Sequence, residues 1–409
     1  MPSKALLRPA EALAEIRRVP GAAQAVSGEL DVDATLKRRD EVIHDLDDSG
    51  QLPWLEDKGI TLVRGTGALS GERRVAVGDD VLIARKAVVI AAGTAAAVPP
   101  IDGLREAEPW GNREATTAKR VPESLVVLGG GPVGCELAQA WSTLGSKVAL
   151  IEAADRVLPK EEPFASEQVA DGLHEAGVEL HEGTKAESVH AAGGTVAVEL
   201  AEGGPLRGEE LLVAIGRRPL TDELGLESVG VEPAKGGYLE VDDELRVGGL
   251  EWLYAIGDVN GRALLTHMGK YQARAAADVV LGKQAIATAE AAGPPRVVFT
   301  EPQVAAVGLT LEMATEQGLE VRAVDVPTSG SAGASFIGKD AAGTTRLVVD
   351  EHRRVLVGAT FVGPEVADFV HAATIAVIGE VPIDRLWHAV PSFPTRSEVW
   401  LGLLEKYGL

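Results

Sequence analysis

Three glycines and one carboxylate stand out as the residues of this sequence best spaced to do chemistry. In "SLVVLGGGPVGCELAQAWSTLGSKVALIE", Gly129, Gly131 and Gly134 fall at GxGxxG spacing behind an apolar run, and Glu152 lies 23 residues after Gly129. That spacing serves a dinucleotide. Gly129 permits a tight turn, Gly131 lets a pyrophosphate approach the backbone, and Gly134 lets the following helix pack closely on the strand. Free amides and the positive end of the helix dipole then hold the phosphates. A carboxylate at Glu152 accepts from both ribose hydroxyls and repels a 2′-phosphate, so NADH is expected over NADPH. Asp258, at the end of "EWLYAIGDVNG", is placed to accept from a sugar hydroxyl at the carboxyl end of a strand. Beyond it, Thr266 and His267 open a helical stretch whose N-terminus could face an electron-rich ring. The only cysteine is Cys135. It excludes an intramolecular disulfide, a CxxC pair and a thiolate zinc site within this chain, so redox chemistry calls for a cofactor and no metal is expected.

The elements that must position these residues follow from the pattern around them. Leu125 to Leu128 read as a buried strand. The next helix carries Val133, Leu137, Trp141 and Leu144 on one face and stops at Gly145, and "KVALIE" is the second strand. Strand and helix patterns alternate through the chain, which predicts an α/β fold with parallel sheets and covering helices. Residues 3 to 18 and roughly 33 to 48 read as helices. "GITLVRGTGAL", "RRVAVG" and "DVLIARKAVVIAAGT" read as short strands, and "REAEPWGNREATTAKRVPES" reads as a polar crossover. At 409 residues the chain should form two to four domains.

Composition narrows the function classes. A formal net charge of −22 disfavours nucleic-acid binding. The most apolar run is interrupted by Gly93 and Pro99 before it could span a bilayer, and Glu11 and Glu15 break any secretory signal. A cytoplasmic location is the default expectation.

Taken in order, "PSKALL", "VVIAAGT…PPIDG", "GGGPVGCELA…LIE…DRVLP", "AIGRRP", "YAIGDV…LLTHM" and "VFTEPQVAAVGLT" resemble the flavoprotein pyridine nucleotide-disulfide oxidoreductases, the dihydrolipoamide dehydrogenase type above all. The resemblance covers nearly the whole chain. It implies two nested dinucleotide-binding, Rossmann-like domains and a C-terminal α+β dimerisation domain that forms a homodimer. The implied boundaries are 1–106 and 236–290 for FAD, 107–235 for NAD(P), and 291–409 for the interface. It also implies FAD contacts at Lys4, Gly67, Gly93, Gly257, Asp258, Thr266 and His267, and NAD contacts at Gly129, Gly131, Gly134, Glu152 and Gly216. Lys4 resembles the family's lysine beside the flavin, and Glu136 stands where its glutamate partner should. In the family, Pro-Ser-Lys follows the second redox cysteine with one residue between. Met1 takes that intervening position, so the sequence is expected to start after the redox pair and after the first glycine loop, through a truncated or misassigned start.

One position departs from the family. Where a histidine base should precede Pro-Thr and a glutamate, the sequence reads "HAVPSFPTRSEVW": Pro394, Thr395 and Glu398 match, but Phe393 replaces the histidine. Phenylalanine cannot move a proton, and His388, five residues earlier, is no evident substitute. Hydride transfer from nicotinamide to flavin needs no such base. The expected function is therefore an FAD-dependent NAD(P)H oxidoreductase that uses a small non-disulfide acceptor such as a quinone. Its expected catalytic residues are Lys4, Glu136 and Glu398, with the base position occupied by Phe393. Two alternatives stand beside it: a disulfide reductase in a longer form, or a flavin-free NAD-binding dimer without turnover. A mercuric reductase is disfavoured because its C-terminal cysteine pair is absent.

Overall fold

Four consecutive apolar residues, Leu125–Leu128, can be a strand only if both faces of the sheet are covered. The computed structural model, which describes residues 1–339 and 341–409, places strand Ser124–Leu128 inside a four-stranded sheet. It lies between Glu210–Val213 and Lys147–Ile151, with Glu179–His181 beyond, and every pairing is parallel. The two-residue period sorts the side chains. Leu125 and Val127 pack with Leu137, Trp141 and Val148 on the helical face. Val126 and Leu128 pack with Val189, Val196 and Val198 on the other. Those valines belong to an antiparallel sheet of Ala186–Ala192, Thr195–Leu200 and Leu206–Gly208. Each such side chain contributes roughly 1.5–3 kcal/mol of burial.

Helix Pro132–Thr143 follows the first strand, and Gly145 leaves it at φ +104°. Leu137, Trp141 and Leu144 are buried as expected. Val133 is not: it is 37% exposed, because the first turn opens onto the empty space beside Gly131.

Packing divides the chain into two units, 1–46 with 98–215 and 295–409, and 47–97 with 216–294. In the first unit, helix Pro2–Arg18 packs against Pro132–Thr143 and Val32–Val42. The latter is capped by the Asp31 carboxylate, which accepts from the Ala34 amide at 2.9 Å. It ends at Val42 rather than near 48, since His44, Asp45 and Leu46 all take positive φ. The expected polar crossover contains a short helix, Asn112–Thr117. Arg39, wholly buried, holds it by donating to the Thr116 and Ala118 carbonyls at 2.6 and 2.8 Å. The C-terminal part is a five-stranded antiparallel sheet in the order Arg296–Val298, Gln303–Gly308, Val355–Gly363, Thr344–Asp350, Val321–Pro327. Helices Val370–Ile378 and Val399–Tyr407 pack on it.

The second unit holds an antiparallel sheet of Gly67–Leu69, Arg74–Val77 and Asp80–Ile83, a parallel pair Val88–Ile90 with Leu253–Ala255, and an antiparallel pair Thr94–Ala96 with Arg217–Pro219. Helix Thr266–Val280 follows. Of "GITLVRGTGAL" only Gly67–Leu69 is strand. Residues 61–66 are all exposed, so no buried face holds them in a sheet. Among the described residues, no helix is long and apolar enough to cross a membrane.

Candidate functional site

The glycine loop between Leu128 and Pro132 is shaped by what a side chain would meet. A methyl group on Gly129, at φ +106°, would lie 2.7 Å from the Ala214 carbonyl oxygen, and one on Gly134 would lie 1.8 Å from that of Gly129. A methyl on Gly131 would meet nothing within 4 Å. Gly131 precedes the helix Pro132–Thr143, so an open space borders amides that point along the helix axis. That arrangement fits a pyrophosphate. The Glu152 carboxylate is turned onto the loop, accepting from the Gly130 amide at 2.6 Å and the Ala154 amide at 2.7 Å. An ionised carboxylate has roughly four acceptor sites, so capacity for ribose hydroxyls remains.

Two further groups back the loop, Leu158 from within "DRVLP" and Glu182, which no motif marks. Glu182 accepts from the Val157 amide at 2.7 Å, and the Leu158 amide donates to the Gly130 carbonyl at 2.8 Å. Cys135 is buried, with its thiol donating to the same carbonyl at 3.2 Å. Burial, aided by the negative fields of Glu152, Glu136 and Glu182, pushes its pKa far up. It is a packing thiol and no nucleophile at neutral pH.

Lys4 and Glu136, 132 residues apart, meet at 2.5 Å. Glu136 is 4% exposed, and its charge is met fully: Ser3 donates at 3.3 Å, and the Phe299 amide donates to the other oxygen at 3.0 Å. The Lys4 ammonium also lies 4.7 Å from the centre of the Phe299 ring. One helical turn further, Gln139 bonds both the amide and the carbonyl of Glu301, at 2.7 and 2.9 Å. Nothing in the sequence marked Gln139.

In the second unit, Gly257 and Asp258 form a turn at the carboxyl end of strand Leu253–Ala255. Asp258 accepts from the Thr94 hydroxyl at 2.8 Å, and Arg217 donates to that hydroxyl at 2.9 Å and to the Thr94 carbonyl at 2.7 Å. Gly93, at φ +73°, immediately precedes this clasp. Fully buried Gln272 fixes the turn, accepting from the Gly257 amide at 2.7 Å and from Asn260 at 3.0 Å. A carboxylate held at a strand end beside positive-φ glycines fits the sugar-hydroxyl side of a flavin dinucleotide. Thr266 and His267 stand exposed at the start of helix Thr266–Val280. Gly216 accepts through its carbonyl from the Ala97 amide at 3.0 Å. Gly67 sits in the antiparallel sheet opposite Val77. Thr94 and Asn260 lie inside the stretches "VVIAAGT" and "EWLYAIGDVNG" but are not singled out there; Gln272 lies outside every motif.

Near the C-terminus, Glu398 accepts from the Gly333 amide at 2.9 Å. Phe393 is 77% exposed, and His388 is exposed as well. Among the described residues, no group of histidines, cysteines and acids is placed to hold a metal ion.

Comparison with known proteins gives two family matches. Residues 1–292 match the pyridine nucleotide-disulphide oxidoreductase model and residues 294–403 its dimerisation domain. A dihydrolipoyl dehydrogenase from Thermus scotoductus is 32% identical over 99% of this chain and 87% of its own length. A mercuric reductase from Staphylococcus aureus is 29% identical over 97% of this chain and 73% of its own length. In structure, the HOCl-induced flavoprotein disulfide reductase RclA from Escherichia coli superposes with TM-score 0.86 at 24% identity, over 99% of this chain and 89% of that one. LpdA from Mycobacterium tuberculosis gives 0.85 at 24%, over 100% and 90%.

Proposed function

The chain belongs to the pyridine nucleotide-disulphide oxidoreductase family, and we propose that it passes electrons from NADH through FAD to a small non-disulfide acceptor such as a quinone. The coarser part of this, a flavin-dependent pyridine nucleotide oxidoreductase, follows from the family, as do the cofactors FAD and NAD(P)H. The C-terminal region is the family's dimerisation domain, which supports a homodimer. The functional division carries over as a proposal: 1–106 and 236–290 for FAD, 107–235 for NADH, and 291–409 for the dimer.

Bound FAD supplies a ring that takes a hydride from nicotinamide and releases the electrons to an acceptor. The protein's share is binding and electrostatics. Gly129, Gly131 and Gly134 shape the loop, the helix N-terminus neutralises the pyrophosphate, and Glu152 selects the unphosphorylated ribose. Asp258 and the glycine turns at Gly93 and Gly257 hold FAD hydroxyl and phosphate groups, with Gly67, Thr266 and His267 as further contacts and Gly216 on the nicotinamide side. Lys4, its charge fixed by Glu136, favours electron uptake by the flavin ring.

The choice of acceptor rests on Phe393. Disulfide exchange at sulfur benefits from a proton-transferring base, and at this position the chain has an exposed aromatic ring. Glu398, which would orient that base, accepts from the Gly333 amide and has no histidine at position 393 to orient. The test begins with the absorption spectrum of the protein incubated with FAD and then desalted. A flavin band that bleaches when NADH is added without oxygen and returns on adding a benzoquinone supports the reading. No flavin band would favour a flavin-free NAD-binding dimer. A second reading, disulfide reduction through thiols this chain does not itself carry, draws on the names of its relatives.

A further inference from the structure

The segment that follows Glu152 backs the glycine loop and is held from the dimerisation region. Leu158 donates to the Gly130 carbonyl at 2.8 Å. Val157 fits so closely that a methyl on Gly130 would lie 2.9 Å from its side chain. Leu158 is itself in the left-handed region, at φ +47°, a conformation a leucine keeps only when its surroundings impose it. Its carbonyl accepts from the Glu161 amide at 2.9 Å.

What imposes it lies in the antiparallel sheet. Glu161 and Glu162 are 7% and 1% exposed, and buried carboxylates require charged partners. Arg296 grips Glu161 with two bonds, of 2.6 and 2.9 Å, and donates a third to the Gly308 carbonyl at 3.1 Å. Arg346 donates to Glu162 at 2.8 Å while bound to Asp325 by two bonds of 2.7 Å. The Leu311 amide fills the other oxygen of Glu162, also at 2.8 Å. The wall behind the dinucleotide loop is thus anchored by two arginines outside the nucleotide-binding sheet, both fixed within the one five-stranded antiparallel sheet.

We infer that Arg296 and Arg346 are positioning residues for the pyridine-nucleotide loop, acting through Glu161, Glu162 and the turn at Leu158. The inference rests on the assignment of Gly129–Gly134 to the nucleotide. Losing either arginine leaves a buried carboxylate short of a partner, and the 157–162 segment shifts to reach water. Gly130 moves with it, and the pyrophosphate site loses its shape.

The experiment is calorimetric titration of the FAD-loaded protein with ADP-ribose, which carries the pyrophosphate and ribose but no reactive ring. R346M should raise the Kd by about 2- to 30-fold, the range for residues coupled to a site at a distance. In steady state the KM for NADH should rise while kcat at saturation and flavin content stay within about twofold of the parent. R346K, which keeps the charge toward Glu162, should recover part of the affinity. If R346M cannot be isolated folded, R296K supplies the same measurement, because lysine keeps the charge but cannot make the two-pronged contact. Unchanged ADP-ribose affinity in the folded variant overturns the inference. So does a loss of flavin content and ADP-ribose affinity together. Failure of the parent protein to bind ADP-ribose overturns the loop assignment itself.

Discussion

Single residues account for most of what could be read in advance. Glu152 was legible because its distance from the first glycine fixes its place at the end of the second strand, and Phe393 because one changed residue sits inside an otherwise matching segment. Glu182, Gln139 and Gln272 were not, since their partners are groups distant in sequence that only the fold supplies. Replacing Glu152 with arginine exchanges a charge-assisted acceptor, worth roughly 1.5–3 kcal/mol, for a phosphate partner. The ratio of NADPH to NADH affinity should then rise by about ten- to a hundredfold, and an unchanged ratio in a binding titration would remove Glu152 from the specificity argument. Cys135 gives a second test. Its pKa is higher folded than unfolded, chiefly through burial. Its contribution to stability is therefore complete below the ordinary thiol value of 9.0 and is lost as pH rises through the folded value. Iodoacetamide at pH 8 should leave the native protein unlabelled and label it fully in guanidinium. Rapid native labelling would contradict the buried thiol.

At the scale of elements, strands buried on both faces were legible and half-supported ones were not. The run Leu125–Leu128 is apolar at every position and could only be a covered strand, whereas residues 61–66 are all exposed and bury neither face. The second helix ended early because three consecutive positive-φ residues have no periodic signature. Two glycines of one motif should behave differently. Gly134→Ala places a methyl against the Gly129 carbonyl and should destabilise the fold by about 3 kcal/mol or more. Gly131→Ala points into open space, at an ordinary negative φ. It should change stability by less than about 0.5 kcal/mol yet weaken NADH binding about tenfold by filling the pyrophosphate's approach. Thermal melts paired with NADH titrations separate the two, and equal melting losses would refute the division of roles.

For the whole molecule, the α/β class and the family were legible in the order of the motifs, but the grouping by packing was not. Helix Pro2–Arg18 groups with Pro132–Thr143 rather than with 47–97; only its Lys4–Glu136 pairing was expected, from the family resemblance. The dimerisation region leaves Ile375, Ile378, Val390 and Phe393 exposed by 58%, 47%, 81% and 77%. That is apolar surface of the kind a two-fold partner covers. Sedimentation at micromolar concentration should find a dimer, and monomer alone would count against it. The central claim is the fate of the electrons, and the most direct measurement compares acceptors. With FAD bound and NADH saturating, the protein should reduce a benzoquinone steadily and lipoamide at least about 100-fold more slowly, the scale on which an absent general base acts. Lipoamide reduction at a rate matching the quinone would contradict the account.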